Sequence, residues 1–78
     1  MELLSNIEKI HTTELGINRI KNNLNLNDDV IDYCKKIILD KNCEIKRLGK
    51  NWYCKLNNIV ITINAHSYTI ITAHLIRR

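Results

Sequence analysis

The residues that most suggest chemistry lie near the C-terminus, in the stretch SYTIITAH at positions 67–74. Thr72 and His74 are two residues apart, so in a β-strand their side chains point to the same face of the sheet. Histidine has an unperturbed pKa of about 6.5 and can act as an acid or a base near neutral pH. A hydroxyl beside an imidazole suits acid–base catalysis and hydrogen bonding to phosphate and sugar.

Strands are the elements that would carry these residues, because the spacing of apolar residues changes from helical to alternating in the second half of the chain. Short turns at Gly49-Lys50-Asn51 and Asn57-Asn58 would join neighbouring strands as hairpins. We predict strands at 44–48, 52–56, 59–65 and 68–76.

The first half of the chain has helical spacing. Ser5 and Glu8 have the spacing of a capping box near Leu4, Ile7 and Ile10. The run His11-Thr12-Thr13-Glu14 offers a second N-cap, and Asn27 offers a third that begins a helix ending near residues 40–42. The later two helices have apolar stripes at Leu15, Ile17, Ile20 and Leu24, and at Val30, Cys34, Ile37 and Ile38.

Together these patterns predict an α+β fold in a single domain spanning residues 1–78. Two to three N-terminal helices would pack on one face of a four-stranded antiparallel β-meander.

Strand alternation separates an apolar face, which should pack on the helices, from a polar and aromatic one. In the last strand it groups Ile71 with Ala73 and Leu75, and Ile70 with Thr72 and His74. Tyrosine on the polar face can stack on a nucleic-acid base. Alternatively, Thr and Tyr are present as good strand formers and His74 is an incidental surface residue. The polar face comprises Tyr53, Lys55, Thr62, Asn64, Thr72 and His74.

Charge is distributed unevenly along the chain. Residues 1–42 carry six cations and seven acids, whereas residues 43–78 carry six cations and Glu44. A concentrated positive field favours polyanionic partners such as nucleic acid, although a basic surface can also serve solubility. The terminal pair Arg77-Arg78 is either a solvated end or a source of added electrostatic affinity.

Cysteine usage and hydropathy exclude several classes of protein. Cys34, Cys43 and Cys54 are odd in number and form no CxxC pair, which indicates reduced thiols and neither a disulfide framework nor a zinc ribbon. The apolar runs are too short to span a bilayer, and no cationic segment precedes the first of them. We expect a cytoplasmic protein without membrane association, bound metal or cofactor.

Metal-independent cleavage of RNA would need a base, an acid and cations for the transition state. We assign His74 as the acid or base, Tyr53 as a proton donor or stacking surface, and Thr72 as an orienting hydroxyl. Lys50 lies at the tip of the GKNWY turn and would contact phosphate. This turn lacks the spacing of a P-loop, which argues against nucleotide hydrolysis.

Five further residues would bind the substrate without reacting. Arg47 and Lys55 would supply charge, and Thr62 and Asn64 would supply hydrogen bonds. A helix terminus could bring His11 to the sheet edge, where it would contribute a second imidazole, or His11 could cap that helix.

Three blocks, IHTTELGINRIKNNL, RLGKNWY and ITINAHSYTIITAH, resemble a small uncharacterised bacterial and phage-associated family, a domain of unknown function. This resemblance covers nearly the whole chain and implies no activity. More loosely, helices followed by a four-stranded sheet ending in ITAH are similar to the barnase, EndoU, colicin and RelE-like superfamily of ribonucleases and toxins. That resemblance implies catalytic residues on the open sheet face, but the sheet has no evident counterpart of a catalytic glutamate.

The leading hypothesis is therefore a small basic domain that interacts with RNA through the open sheet face and cleaves it as a toxin-like ribonuclease. The alternative is a non-catalytic binding or inhibitor module of phage or mobile-element origin, acting on a nucleoprotein or on a protein partner such as an antitoxin or target. A third hypothesis is a structural or regulatory protein whose apolar helices form a homodimer.

Overall fold

The computed structural model describes residues 2–76, so Arg77 and Arg78, with their expected contribution to affinity, lie outside the described residues. The helical elements come first: α1 (Glu2–Ser5), a short 3-10 turn (Ile7–Lys9), α2 (Glu14–Leu24) and α3 (Val30–Leu39). The strands follow: β1 (Glu44–Leu48), β2 (Asn51–Leu56), β3 (Ile59–Asn64) and β4 (Ile70–Leu75).

The strands pair in chain order, β1-β2-β3-β4, and each neighbouring pair is antiparallel. The predicted α+β fold, with helices preceding an antiparallel meander, is therefore confirmed. Gly49 and Asn57 adopt φ values of 59° and 55° in the two tight turns. Left-handed backbone of this kind is what short hairpin turns require, and Gly and Asn tolerate it best.

Side-chain caps begin the two longer helices. The Thr13 hydroxyl accepts a hydrogen bond from the Gly16 amide at 3.0 Å and caps α2, within the run of four residues that the sequence predicted. The cap of α3 is Asp29, whose carboxylate accepts from the Asp32 amide at 2.9 Å, so the prediction of Asn27 was wrong by two residues. The predicted capping box was also wrong, because Ser5 is the last residue of α1.

A single core joins the helices to one face of the sheet. The helical stripe of α3 is buried as predicted, and it packs with Trp52, Cys54, Ile61 and Ile63. Leu3 is buried in α1, whereas Leu4 is exposed. The remaining buried apolar residues are Ile10, Ile20, Tyr68, Ile70 and Ala73.

Leu15 was wrongly assigned to the apolar stripe of α2, since it is 76 % exposed. At about 100° per residue, Leu15 points roughly 160° away from Ile17 around the helix axis. Ile17, Ile20 and Leu24 remain on the side that faces the core.

A β-bulge changes the face assignment in β4. Thr62 pairs with Thr72, but Ile63 pairs with Ile70, which leaves Ile71 as the extra residue. Ile70 is consequently 1 % exposed and Ile71 is 44 % exposed, the reverse of what simple alternation predicted.

The ends of β4 also differ from prediction. Tyr68 has a φ of 60°, which a strand does not adopt, and β4 begins two residues later than the predicted strand. Leu75 is exposed rather than buried. Asn23, one residue before the end of α2, donates from its amide nitrogen to the Ala73 carbonyl. Leu75 is two residues beyond Ala73 and therefore lies where the covering helix ends.

Candidate functional site

A row of polar side chains crosses the sheet from β1 to β4. The strand register places Lys46 opposite Tyr53, Tyr53 opposite Thr62, and Thr62 opposite Thr72. We call these residues the polar row. Tyr53, Thr62 and Thr72 each adjoin a buried core residue in their strand, so they and Lys46, the cross-strand partner of Tyr53, occupy the face opposite the core, which we call the open face. With strands about 4.8 Å apart, the row spans roughly 14 Å.

A second row lies two residues farther along each strand. It comprises Glu44, Lys55, Val60 and His74, again in direct cross-strand register. Lys55 and His74 are both exposed, as the sequence predicted for groups that meet a ligand. Glu44 places a carboxylate on this face beside Lys55, an acid that the sequence analysis did not assign there.

Accessibility differs along the polar row. Lys46 is exposed, and Tyr53 and Thr72 are half-buried with part of each side chain at the surface. Thr62 is 8 % exposed. Little of the Thr62 side chain reaches the surface at the middle of the open face. The structure therefore does not favour the predicted ligand contact from its hydroxyl.

Asn64 lies at the end of β3 and orders the following turn. Its side-chain oxygen accepts hydrogen bonds from the His66 amide at 2.9 Å, the Ser67 amide at 3.0 Å and the Ser67 hydroxyl at 3.2 Å. This oxygen is fully engaged within the protein. The Asn64 side-chain oxygen thus orders the turn, and the ligand contact from Asn64 stays a prediction.

Arg47 lies on the other side of the sheet from Tyr53. It is the register partner of Trp52, and its guanidinium carbon lies 5.6 Å from the centre of the Trp52 ring. Its Nε donates a hydrogen bond to the Gly49 carbonyl at 3.0 Å. Arg47 is one residue out of phase with Lys46, so the structure does not bring its predicted charge to the open face beside Lys55.

Lys50 lies at the opposite end of the sheet from His74. The Lys50 carbonyl accepts from the Ala65 amide at 2.8 Å, which fixes the β1–β2 turn beside the β3–β4 turn. His74 is paired with Val60, which lies four residues before Asn64 at the end of β3. Val60 and Asn64 are therefore about 13 Å apart along the strand. The structure therefore does not bring the predicted acid and the predicted phosphate contact together.

His11 reaches the sheet edge, but at the Lys50 end. It forms an isolated parallel bridge with Thr69, where the Ile70 amide donates to the His11 carbonyl at 2.8 Å. Its Nδ1 donates to the Lys9 carbonyl at 2.9 Å, and its Nε2 lies 3.2 Å from the Thr69 hydroxyl, which then donates to it. His11 thus anchors a segment to β4, and Thr13 rather than His11 caps α2.

A cleft of about 240 Å³ opens beside His74, between α2 and β4. It is lined by Asn22 and Asn23 from the helix and by His74 and Leu75 from the strand. Sequence reasoning missed both asparagines, since nothing local indicates that the end of α2 reaches β4. It also missed Lys46, which the alternation of EIKRL could have placed on the open face.

The open face combines several kinds of polar and aromatic group. It offers two ammonium groups, an aromatic ring, a surface hydroxyl and an imidazole, a combination suited to phosphate, base and sugar. Within residues 2–76, no group of three or more His, Cys, Asp or Glu side chains is placed to hold a metal ion. No helix in that part of the chain is both long and apolar enough to cross a membrane.

Comparison with known proteins identifies the family and no activity. Searches of curated proteins and of solved structures each found no match. A family model described as a protein of unknown function, DUF3781, matches residues 4–74. That range contains α2, α3 and the strands β1 to β3 in full, together with the polar row. The chain belongs to the DUF3781 family.

Proposed function

We propose that this protein binds single-stranded RNA across the open face of its sheet. The observation that carries the proposal is the polar row, in which Lys46, Tyr53 and Thr72 occupy one line on the face opposite the core. A strand laid along this line would meet an ammonium group, an aromatic ring and a hydroxyl in succession. These groups bind phosphate, base and sugar, respectively.

Charge on the second row supports the same proposal. Lys55 is exposed one row from Tyr53 and adds a second ammonium group within reach of the same strand. Glu44 offsets part of this charge, so the face is moderately rather than strongly basic. We therefore expect affinity that depends on salt but is shared between electrostatics and stacking.

Binding is favoured over cleavage by the placement of the ionisable groups. His74 and Lys50 lie at opposite ends of the sheet, and His11 is hydrogen-bonded at the Lys50 end. An acid and a base for in-line attack on one phosphate must both lie within hydrogen-bond reach of the reacting atoms. The toxin-like ribonuclease is accordingly the weaker hypothesis, and the binding module is the stronger.

Fluorescence anisotropy with a labelled RNA strand of about ten nucleotides tests the proposal directly. Two phosphate contacts predict that the logarithm of the association constant falls with the logarithm of salt at a slope of about −1.4. The double variant Lys46→Ala/Lys55→Ala should lose most of this dependence. The matched control Lys35→Ala/Lys36→Ala removes the same charge from α3, whose buried stripe packs on the other side of the sheet.

Gel analysis of the same incubations separates the hypotheses. Bound and intact RNA supports the binding module, whereas RNA that is cut by the wild type but not by His74→Ala would favour the ribonuclease. Failure to bind any RNA would overturn the proposal and direct attention to a protein partner.

A further inference from the structure

The cleft between α2 and β4 contains polar groups that the fold leaves unused. Asn23 donates one hydrogen bond from its amide nitrogen to the Ala73 carbonyl at 3.3 Å. Among residues 2–76, the side chains of Asn22 and His74 have no hydrogen-bond partner. Both are exposed, and both line the same space of about 240 Å³.

The lining of this cleft selects a neutral ligand with paired donors and acceptors. Each asparagine amide presents a carbonyl oxygen and an NH₂ group, and an imidazole presents one nitrogen of each kind when neutral. Among residues 2–76, no Lys, Arg, Asp or Glu lines the cleft, so this part of the chain brings no lysine or arginine charge there to bind a phosphate. Leu75 adds an exposed apolar side chain against which a flat ring can pack.

We propose that this cleft holds one nucleobase of the bound RNA strand. The inference rests on the proposed function and adds a base-selective position to it. His74 belongs both to the second row of the open face and to the cleft wall, which makes the two surfaces continuous. A strand that crosses from β2 to β4 would therefore arrive at the cleft with a base free to turn into it.

Adenine is the base that Asn22 is best suited to recognise. An asparagine amide can donate to N7 and accept from the N6 amino group of adenine in one bidentate pair. Sequence-specific recognition of single-stranded RNA commonly uses unstacked bases read along such edges. The free amide of Asn22 supplies this pair without breaking any hydrogen bond among the described residues.

Binding measurements with RNA strands that differ at a single base test the cleft separately from the open face. The probes are labelled uridine tracts that carry a single central adenosine, cytidine or guanosine. We expect the adenosine strand to bind at least about five-fold more tightly than the unsubstituted tract. In Asn22→Ala, the affinity for the adenosine strand should fall to that for the unsubstituted tract.

Two variants serve as controls. Asn18→Ala removes an exposed amide from the same helix, one turn before Asn22, and should preserve the preference for adenosine. Asn22→Asp keeps the shape of the side chain but replaces the NH₂ donor with a negatively charged oxygen. It should abolish the preference as Asn22→Ala does, which would attribute the effect to the donor rather than to packing.

The outcomes distinguish the two proposals. Equal binding of all strands by the wild type, or a preference that survives in Asn22→Ala, would overturn the nucleobase cleft while leaving RNA binding intact. Absence of binding to every strand would overturn the proposed function and the cleft with it. A preference for adenosine that disappears in both Asn22 variants and persists in Asn18→Ala would support the inference.

Discussion

Lys46 and Tyr53 are direct cross-strand partners on β1 and β2, on the face of the sheet opposite the buried Trp52. Directly opposed side chains in an antiparallel pair have Cβ atoms about 5 Å apart. The ammonium group and the phenol ring can therefore contact adjacent parts of one nucleotide. This pair forms the β1–β2 part of the proposed RNA-binding face, and its two members make separable contributions.

Removal of the Tyr53 ring should weaken RNA binding strongly. Stacking contributes about 1–3 kcal/mol per base, so Tyr53→Ala should raise the Kd roughly 5- to 150-fold. Tyr53→Phe keeps the ring and should bind within about three-fold of the wild type. Anisotropy titration at low salt measures both. A Tyr53→Ala variant that is folded and binds like the wild type would refute the stacking role.

Removal of the Lys46 charge should change the salt dependence. Each phosphate contact to a single strand contributes about 0.7 to the slope of log K against log salt, and Lys46→Ala should lower the slope by that amount. Lys36→Ala is the control, because Lys36 lies on α3 and outside the open face. Its Nζ lies 3.6 Å from the Asp32 carboxylate. Identical slopes for Lys46→Ala and the wild type would argue against a phosphate contact at this position.

The bulge in β4 predicts opposite responses at neighbouring positions. Ile70 is fully buried, and Ile70→Ala should lower the free energy of unfolding by about 2–5 kcal/mol. Ile71 is exposed, so Ile71→Ala should change it by less than about 1 kcal/mol. Urea denaturation of the two variants provides the comparison. A larger loss for Ile71→Ala than for Ile70→Ala would indicate regular alternation in place of the bulge.

Gly16→Ala should destabilise the protein, although alanine normally favours a helix over glycine by about 1 kcal/mol. A Cβ at position 16 would overlap the Thr12 hydroxyl, which donates to the Ile70 carbonyl at 3.0 Å. We expect a loss of about 1–2 kcal/mol in the free energy of unfolding. Thr12→Ala/Gly16→Ala removes the overlap and should be more stable than Gly16→Ala. A Gly16→Ala variant more stable than the wild type would contradict this packing.

Buried thiols predict loss of stability at alkaline pH. Burial raises the pKa of Cys34 and of Cys54 from 9.0 to about 12. Above pH 9 the unfolded thiols release their protons while the folded ones retain theirs, so the folded state binds more protons and stability falls as pH rises. The stability that the folded state gains by keeping these thiols protonated is fully present below pH 9. It declines between pH 9 and about pH 12.

Denaturation midpoints across that range measure the effect. Replacement of either buried cysteine by alanine should reduce the steepness of the decline, even though the variant is less stable at neutral pH. If the denaturation midpoint at about pH 10 is no lower than the midpoint at about pH 8, the burial of these thiols is contradicted.

Local patterns predicted the parts of the fold that depend on local geometry. Alternation placed Tyr53, Thr72 and His74 on the open face, and helical spacing identified the stripe of α3. Alternation failed at Ile70 and Ile71, because a bulge inserts one residue and nothing in the run of β-branched residues marks its position.

The composition of the site was harder to predict because it depends on long-range geometry. Lys50 and His74 are both polar residues of the C-terminal half, but the meander places them at opposite ends of the sheet. Asn22 and Asn23 have no local pattern that indicates a site, yet packing of α2 on β4 brings them beside His74. Such contacts depend on how elements pack, which a local period does not encode.

The most direct test of the RNA-binding face is an NMR titration of the isotopically labelled protein with a short single-stranded RNA at low salt. Binding to the open face predicts that the largest amide shifts map to β1–β4 around Lys46, Tyr53 and Thr72. The core-facing helix α3 should remain unchanged. Shifts confined to the helices, or no shifts at saturating RNA, would contradict the account.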